Sequence, residues 1–391
     1  MKATGFSVVA LVALGTAVAQ SFGRFTYSVV LPAARDDLGI SNTVAGSIGT
    51  ANVTAYLLGT VAVAALSGRY RLIDIMRVGF VFSVIGLSLA SFAVNAPMMA
   101  IAMLSAGFGG ACIWIPAPVI ASDAVAPTHR ALAVGLMGSG IGLGVVFSSQ
   151  LAAYVRATAG DSAWRNVYRV EAVIGIIMLV LIFALVRHHQ ERPTGAGLAR
   201  LGGFDVLRTM RGWIPITIAY AAFGFMYLLI IQFLSAKLEG DNGWSAPDAS
   251  LAFTILGVAV IFGGPMMVAL AQRFGVHRAM PVAFLAWALL VLLVLPGWPV
   301  PSLFAAAGIG FAFSGVPSMI TMYVVDNTTT RSYGPSFSAA TLAFGVAQLA
   351  SPQVGGAVAD LTGSFTPVFL LSVAMAGIGM IAALRVPKPA N

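Results

Sequence analysis

Charge is what this sequence is short of. Asp, Glu, Lys and Arg make up only 9% of its 391 residues, against about 25% in soluble globular chains. Acids are the scarcer sign, 13 against 21 bases, and none stands in the middle of a long apolar run. Glu171 and Asp360 fall near the outer ends of such runs, Asp123 and Asp326 near the inner ends. The one cysteine, Cys112, excludes an internal disulfide and a cysteine-based metal site. The four histidines, His129, His188, His189 and His277, sit in expected loops with no carboxylate at ligand spacing, so no metal or other cofactor is expected. No basic run or stripe accompanies the net charge of +8, which argues against nucleic acid. An enzyme's nucleophile-and-base constellation is missing too.

What is abundant is apolar surface: 59% of the residues are hydrophobic and the mean hydropathy is +0.94. A helix crosses a bilayer with about 20 mainly apolar residues. That rule predicts spans at 5–32, 42–66, 74–94, 98–121, 131–154, 166–186, 213–235, 248–271, 279–297, 301–324, 335–358 and 366–385. The expected fold class is an all-α membrane protein of twelve transmembrane helices. Lys2, an apolar run and Ala17–Ala19 imitate a cleavable signal peptide. The run continues to Pro32, so it is read as the first span. Twelve spans put both termini on one side. With that side inside, fifteen basic residues are inside, and five, Arg35, Arg156, Arg165, Arg169 and Lys237, are outside. Basic residues collect in cytoplasmic loops, so cytoplasmic termini in an inner (plasma) membrane are expected.

The long polar break at 187–212 reads as a linker between halves at 1–186 and 213–391. The halves carry echoes of each other at one offset, 201 residues. Phe22 and Gly23 of "FGRFTY" return as Phe223 and Gly224 of "FGFMY"; Gly107, Gly109 and Pro116 return as Gly308, Gly310 and Pro317. Six spans per half make this a parallel repeat, which places a substrate site near the midplane between the halves. Alternating access is the natural use of that geometry.

On these features the chain resembles the major facilitator superfamily (MFS) over its whole length. The sequence "LAQRFGVHRAM" is similar to that family's signature loop, with Gly264, Arg273, Gly275 and Arg278 in place. The first-half copy, "LSGRYRLIDIMR", keeps Arg69 and Arg71 but has Ser67–Gly68 where the family often has an acid. Asp123 and Arg130 flank one short loop as Asp326 and Arg331 flank another. The resemblance implies that these eight residues other than the glycines (Arg69, Arg71, Asp123, Arg130, Arg273, Arg278, Asp326 and Arg331) serve cytoplasmic gating. Two departures count against a drug–proton antiporter: Met103 stands where many proton-coupled members have arginine, and "GLMGSGIGLG" at 135–144 lacks the proline of the antiporter signature. Close helix packing accounts for its glycines.

Arg24 is the one base inside an apolar run, about 8 residues and ~12 Å from the expected outer end of the first span. An intramembrane arginine faces a cavity or a partner. Helical spacing puts Gln20, Arg24, Tyr27 and Ser28 on one face. Its guanidinium fork suits a carboxylate. The resemblance implies the same, because several MFS carriers of organic anions place an arginine on this span. The 201-residue mate of Arg24 is Phe225, so one positive group, and hence a small monoanion, is expected. If the family architecture holds, the rest of the wall comes from Asn52, Tyr56, Cys112, Trp114, Tyr220, Tyr227, Ser314, Ser318, Met322 and Gln348. With no acid in mid-span, the expected modes are uniport, anion exchange, or symport of a proton carried by the substrate. The expected function is secondary transport of a small organic anion, a monocarboxylate above all. Efflux of amphipathic compounds is the alternative. The expected partners are that substrate, the lipid bilayer and, in the symport case, protons; a monomer is expected.

Overall fold

A computed structural model describes residues 5–186 and 204–387. His188, His189 and most of the expected linker lie outside the described residues. Among those residues there are twelve long helices and no strand. They run Phe6–Asp37, Asn42–Leu66, Leu72–Ser91, Ala96–Asp123, Pro127–Ala159, Asp161–Leu185, Trp213–Asp241, Ala246–Phe274, Val276–Val294, Pro299–Asp326, Thr330–Thr362 and Thr366–Leu384, and are numbered spans 1 to 12 in that order. Eleven are long and apolar enough to cross a membrane by length and composition. The remaining one, span 11, has 33 residues and is rich in Ser, Thr and Gly.

Sequence and structure differ most at span 1. The helix does not stop at Pro32 but continues to Asp37, because a proline interrupts only its own donor and the contact with the carbonyl four residues back. Arg24 is therefore about 20 Å from that end, close to the middle of a ~30 Å hydrocarbon core. Span 4 behaves the other way: its helix breaks between Trp114 and Ala117, at Pro116. Spans 8 and 9 are joined at Gly275, whose φ of +83° is open to glycine and strained for other residues.

Packing repeats with a shift of six spans. Span 2 lies on 4, 3 on 4, 3 on 6 and 1 on 5; likewise 8 lies on 10, 9 on 10, 9 on 12 and 7 on 11. Between the two sets, span 5 packs on 8, 2 on 11 and 1 on 7. The turns after spans 1, 5, 7 and 11 meet at one end of the bundle, opposite the termini: Arg165 bonds Asp37, Asp360 bonds Asn42 and Asp241 bonds Ser364. This is called the far side below. Small residues let the crossings close. A Cβ on Gly107 would overlap the Asn52 carbonyl, one on Gly310 the Leu256 carbonyl, and one on Gly46 the Pro352 carbonyl. The glycine-rich stretch of span 5 divides its glycines: Gly140 and Gly144 admit span 1, while Gly142 admits span 8.

Candidate functional site

Span 1 is not α-helical throughout. Ala17–Phe25 forms a π-helix, closed by the Thr26 amide donating to the Ser21 carbonyl five residues back. Such wider turns are frequent at functional positions. Two hydroxyls fix this segment to span 5: Thr16 donates to the Met137 carbonyl and Ser21 to the Ile141 carbonyl.

Arg24 projects from this π-helix and is half-buried. Its Nε–H donates to Asn52 Oδ1 at 3.2 Å, and its guanidinium lies 5.2 Å from the centre of the Tyr56 ring. Asn52 is itself held rigidly, its Nδ2 donating to the Gly23 and Met103 carbonyls at 3.0 and 3.1 Å. The Tyr227 side chain, from span 7, lies beside both Arg24 and Gln348. Gln20 lies beside Tyr56. No carboxylate pairs with Arg24 among the described residues. Asn52 orients the guanidinium and, being neutral, leaves its charge uncompensated. An apolar wall adjoins it: Tyr227 packs on Phe313 at 5.3 Å and Phe344 at 6.0 Å, and Phe25 on Phe313 at 5.5 Å.

The structure thus brings Gln20, Arg24, Asn52, Tyr56, Tyr227 and Gln348 together. It separates Tyr27 and Ser28 from them. The π-helix delays the turn, so a face counted at 3.6 residues per turn slips beyond Arg24. Tyr27 donates instead to the Ala45 carbonyl, and Ser28 is fully buried without a partner for its hydroxyl. Ser314 donates to the Val260 carbonyl of span 8, and Ser318 to the Ser314 carbonyl of its own helix. Tyr220 stacks on Phe344 at 4.4 Å. Cys112 packs with Val63 and Ile75, and Trp114 and Met322 are half-buried.

Sequence position understates three acids. Glu171 is fully buried, although it stands only two turns from the start of its helix. Asp360 accepts from the amides and side chains of Asn42 and Thr43 at the start of span 2. Glu239, beyond the expected end of span 7, takes two bonds from Arg156 of span 5, at 2.8 and 2.6 Å. The Arg156 side chain is 1% exposed and also bonds Asp161. Ser149 and Gln150 bond Thr254, and Thr50 bonds the Leu349 carbonyl. Together these ties join spans 1–6 to spans 7–12 from the middle to the far side. The only sequence signal for them was a charge at a helix end. Of the residues expected to gate, Arg69, Asp123, Arg130, Arg273, Arg278 and Asp326 are exposed and Arg71 is half-buried, all at the termini side. The Arg331 side chain lies outside the described residues.

The family model described as "Uncharacterised MFS-type transporter YbfB" matches residues 16–384. The chain is 23% identical over 375 residues to the "Uncharacterized MFS-type transporter YfhI" of Bacillus subtilis (strain 168), covering 92% of this chain and 90% of that protein. It is 27% identical over 176 residues to a "Probable 4-methylmuconolactone transporter" of Cupriavidus pinatubonensis (strain JMP 134 / LMG 1197), covering 44% and 40%. Among solved structures, a bacterial homolog of the human lysosomal transporter Spinster, inward-facing and unoccupied, superposes with a TM-score of 0.77 at 15% identity over 98% of both chains.

Proposed function

The chain belongs to the family of MFS-type transporters, and on that premise we propose that it carries a small organic monoanion, with Arg24 receiving the anionic group. It is a multi-pass membrane protein and a secondary transporter, not an enzyme. One observation carries the finer reading: a permanent cation at mid-depth that no carboxylate among the described residues neutralises, its Nε–H oriented by Asn52. An arginine in mid-span without a counter-ion costs about 2.5–3.5 kcal/mol on insertion scales, and an anionic substrate supplies the missing charge. The adjoining Tyr56, Tyr227, Phe313 and Phe344 give that substrate's apolar body a surface to pack on. The relative named for 4-methylmuconolactone supports the class, since that compound is a small organic acid. Phe225, at the position 201 residues on from Arg24, supports one anionic group rather than two.

In this reading the halves at 1–186 and 213–391 rock about the site, with cytoplasmic termini in the inner membrane. The far-side ties then hold the outer side shut, and the charges at the termini side serve closure of the inner side. The test is uptake into proteoliposomes of a panel of carboxylates, sugars and cationic amphiphiles. Saturable uptake of a monocarboxylate is expected, with Arg24→Lys and Arg24→Gln weakening it about 30-fold or more, the effect of losing roughly 2 kcal/mol of desolvated charge pairing. Wild-type affinity in both variants removes Arg24 from the site. Transport of cationic amphiphiles alone replaces the anion reading with efflux.

A further inference from the structure

Glu171 lies on span 6 with no exposed surface. One carboxylate oxygen, Oε1, accepts from Thr26 Oγ1 of span 1 at 2.6 Å and from Ser148 Oγ of span 5 at 2.7 Å. The other, Oε2, has no hydrogen-bond partner. Among the described residues no cation is placed to balance it. Span 3 carries its charges, Asp74 and Arg77, at the opposite end of span 6, where Arg77 donates to the Val186 carbonyl. On span 5 the nearest base, Arg156, is held by Asp161 and Glu239. On span 6 itself, Arg165 bonds Asp37 and Ala93, Arg169 bonds Asn166, and Tyr168 stands one turn before the carboxyl. From span 1, Tyr27 donates to Ala45 and Arg24 to Asn52.

A bare carboxylate in such a place carries a desolvation penalty of several kcal/mol. The two hydroxyls relieve Oε1 only. A proton on Oε2 removes the charge and leaves a neutral carboxyl, which is far less costly to bury than a carboxylate. A metal cation would instead need several converging oxygens, whereas the two hydroxyls here point their hydrogens at the carboxyl. Thr26 adds a connection: it is also the residue whose amide closes the π-helix that carries Arg24. A change at the carboxyl acts through Thr26 on the turn that presents Arg24.

We infer that Glu171 is a proton-binding site, coupled through the π-helix of span 1 to Arg24, so that the carrier takes up a proton with its anion. The coupling rests on the anion reading above; the proton site does not. Two experiments separate them. In the first, the full chain in nanodiscs is titrated by infrared spectroscopy. A protonated-carboxyl C=O band is expected in the wild type and not in Glu171→Gln. Thr26→Val, which keeps the carboxyl and removes one donor, should shift that band. Superposable wild-type and E171Q spectra, or an unmoved band in T26V, overturn the proton site. In the second, proteoliposomes are given radiolabelled 4-methylmuconolactone as probe. An inward gradient of one pH unit should give about tenfold accumulation for one coupled proton, and E171Q should only equilibrate the probe. Unchanged proton-driven accumulation in E171Q, or accumulation driven by sodium and not by protons, overturns the coupling. Should the wild type carry no anion from the panel, the anion reading falls and the infrared result alone decides Glu171.

Discussion

Replacing Glu239 by Gln tests what holds the far side shut. Glu239 ends span 7, and Arg156, which it pairs with by two bonds, ends span 5; the pair therefore spans the seam between spans 1–6 and 7–12. Breaking a buried ion pair costs about 3–5 kcal/mol. Asp161 remains as a partner for Arg156, though at 63% side-chain exposure it is well screened, so a loss of about 2 kcal/mol is the working figure. If the pair exists only when the far side is closed, the open-to-closed ratio rises about 30-fold. A state populated at about 1% would then reach roughly a quarter of the molecules. Spin labels at the exposed positions Thr158 and Pro247, in a Cys112→Ser background, report the separation of spans 5 and 8 by pulsed dipolar spectroscopy. A longer-distance population should appear in E239Q and shrink again in Glu239→Asp. An unchanged distance distribution in E239Q would refute the assignment of this pair to closure.

Three further outcomes follow from the same contacts. Asp360→Asn weakens the acceptor that caps the start of span 2 and should raise the far-side-open fraction, read with the same labels; charges at helix termini of this kind are worth up to about 1 kcal/mol. Gly46→Val drives a side chain into the Pro352 carbonyl, and should shift the labels outward while lowering the melting temperature. Asn52→Leu leaves Arg24 charged but without its Nε acceptor, and should weaken anion binding about tenfold, as expected for loss of one charge-assisted hydrogen bond of about 1.5 kcal/mol, measured by calorimetry.

The membrane class, the helices and most of their ends were legible because apolar runs of spanning length have few other uses. Residues 42–66 matched to the residue, and other ends moved by a few positions. The grouping of the candidate site was legible where it depended on a charge within an apolar run: Arg24, with Gln20, Asn52, Tyr56, Tyr227 and Gln348 near it. It was illegible where it depended on phase. Tyr27 and Ser28 turn away because a π-helix changes the count of residues per turn, and no composition signal in 17–25 announces that. Glu171 and Asp360 were placed near helix ends, as they are, but their partners were not legible, and Glu239 drew no expectation, for another reason. Distance along a helix measures depth in the bilayer, not enclosure by neighbouring helices, and a carboxyl two turns from a helix end can be wholly enclosed.

The glycines of the seam have a mechanical consequence. Where Gly46 meets Pro352, Gly356 meets Asn42 and Gly142 meets Gly257, main chain rests on main chain. The distance of closest approach there is set by van der Waals contact of backbone atoms, not by which rotamer a side chain happens to occupy. Such a joint behaves as a hard stop: each closure ends at the same separation. No side-chain freedom, up to about 2 kcal/mol for a long residue, has to be surrendered again at these points on every cycle.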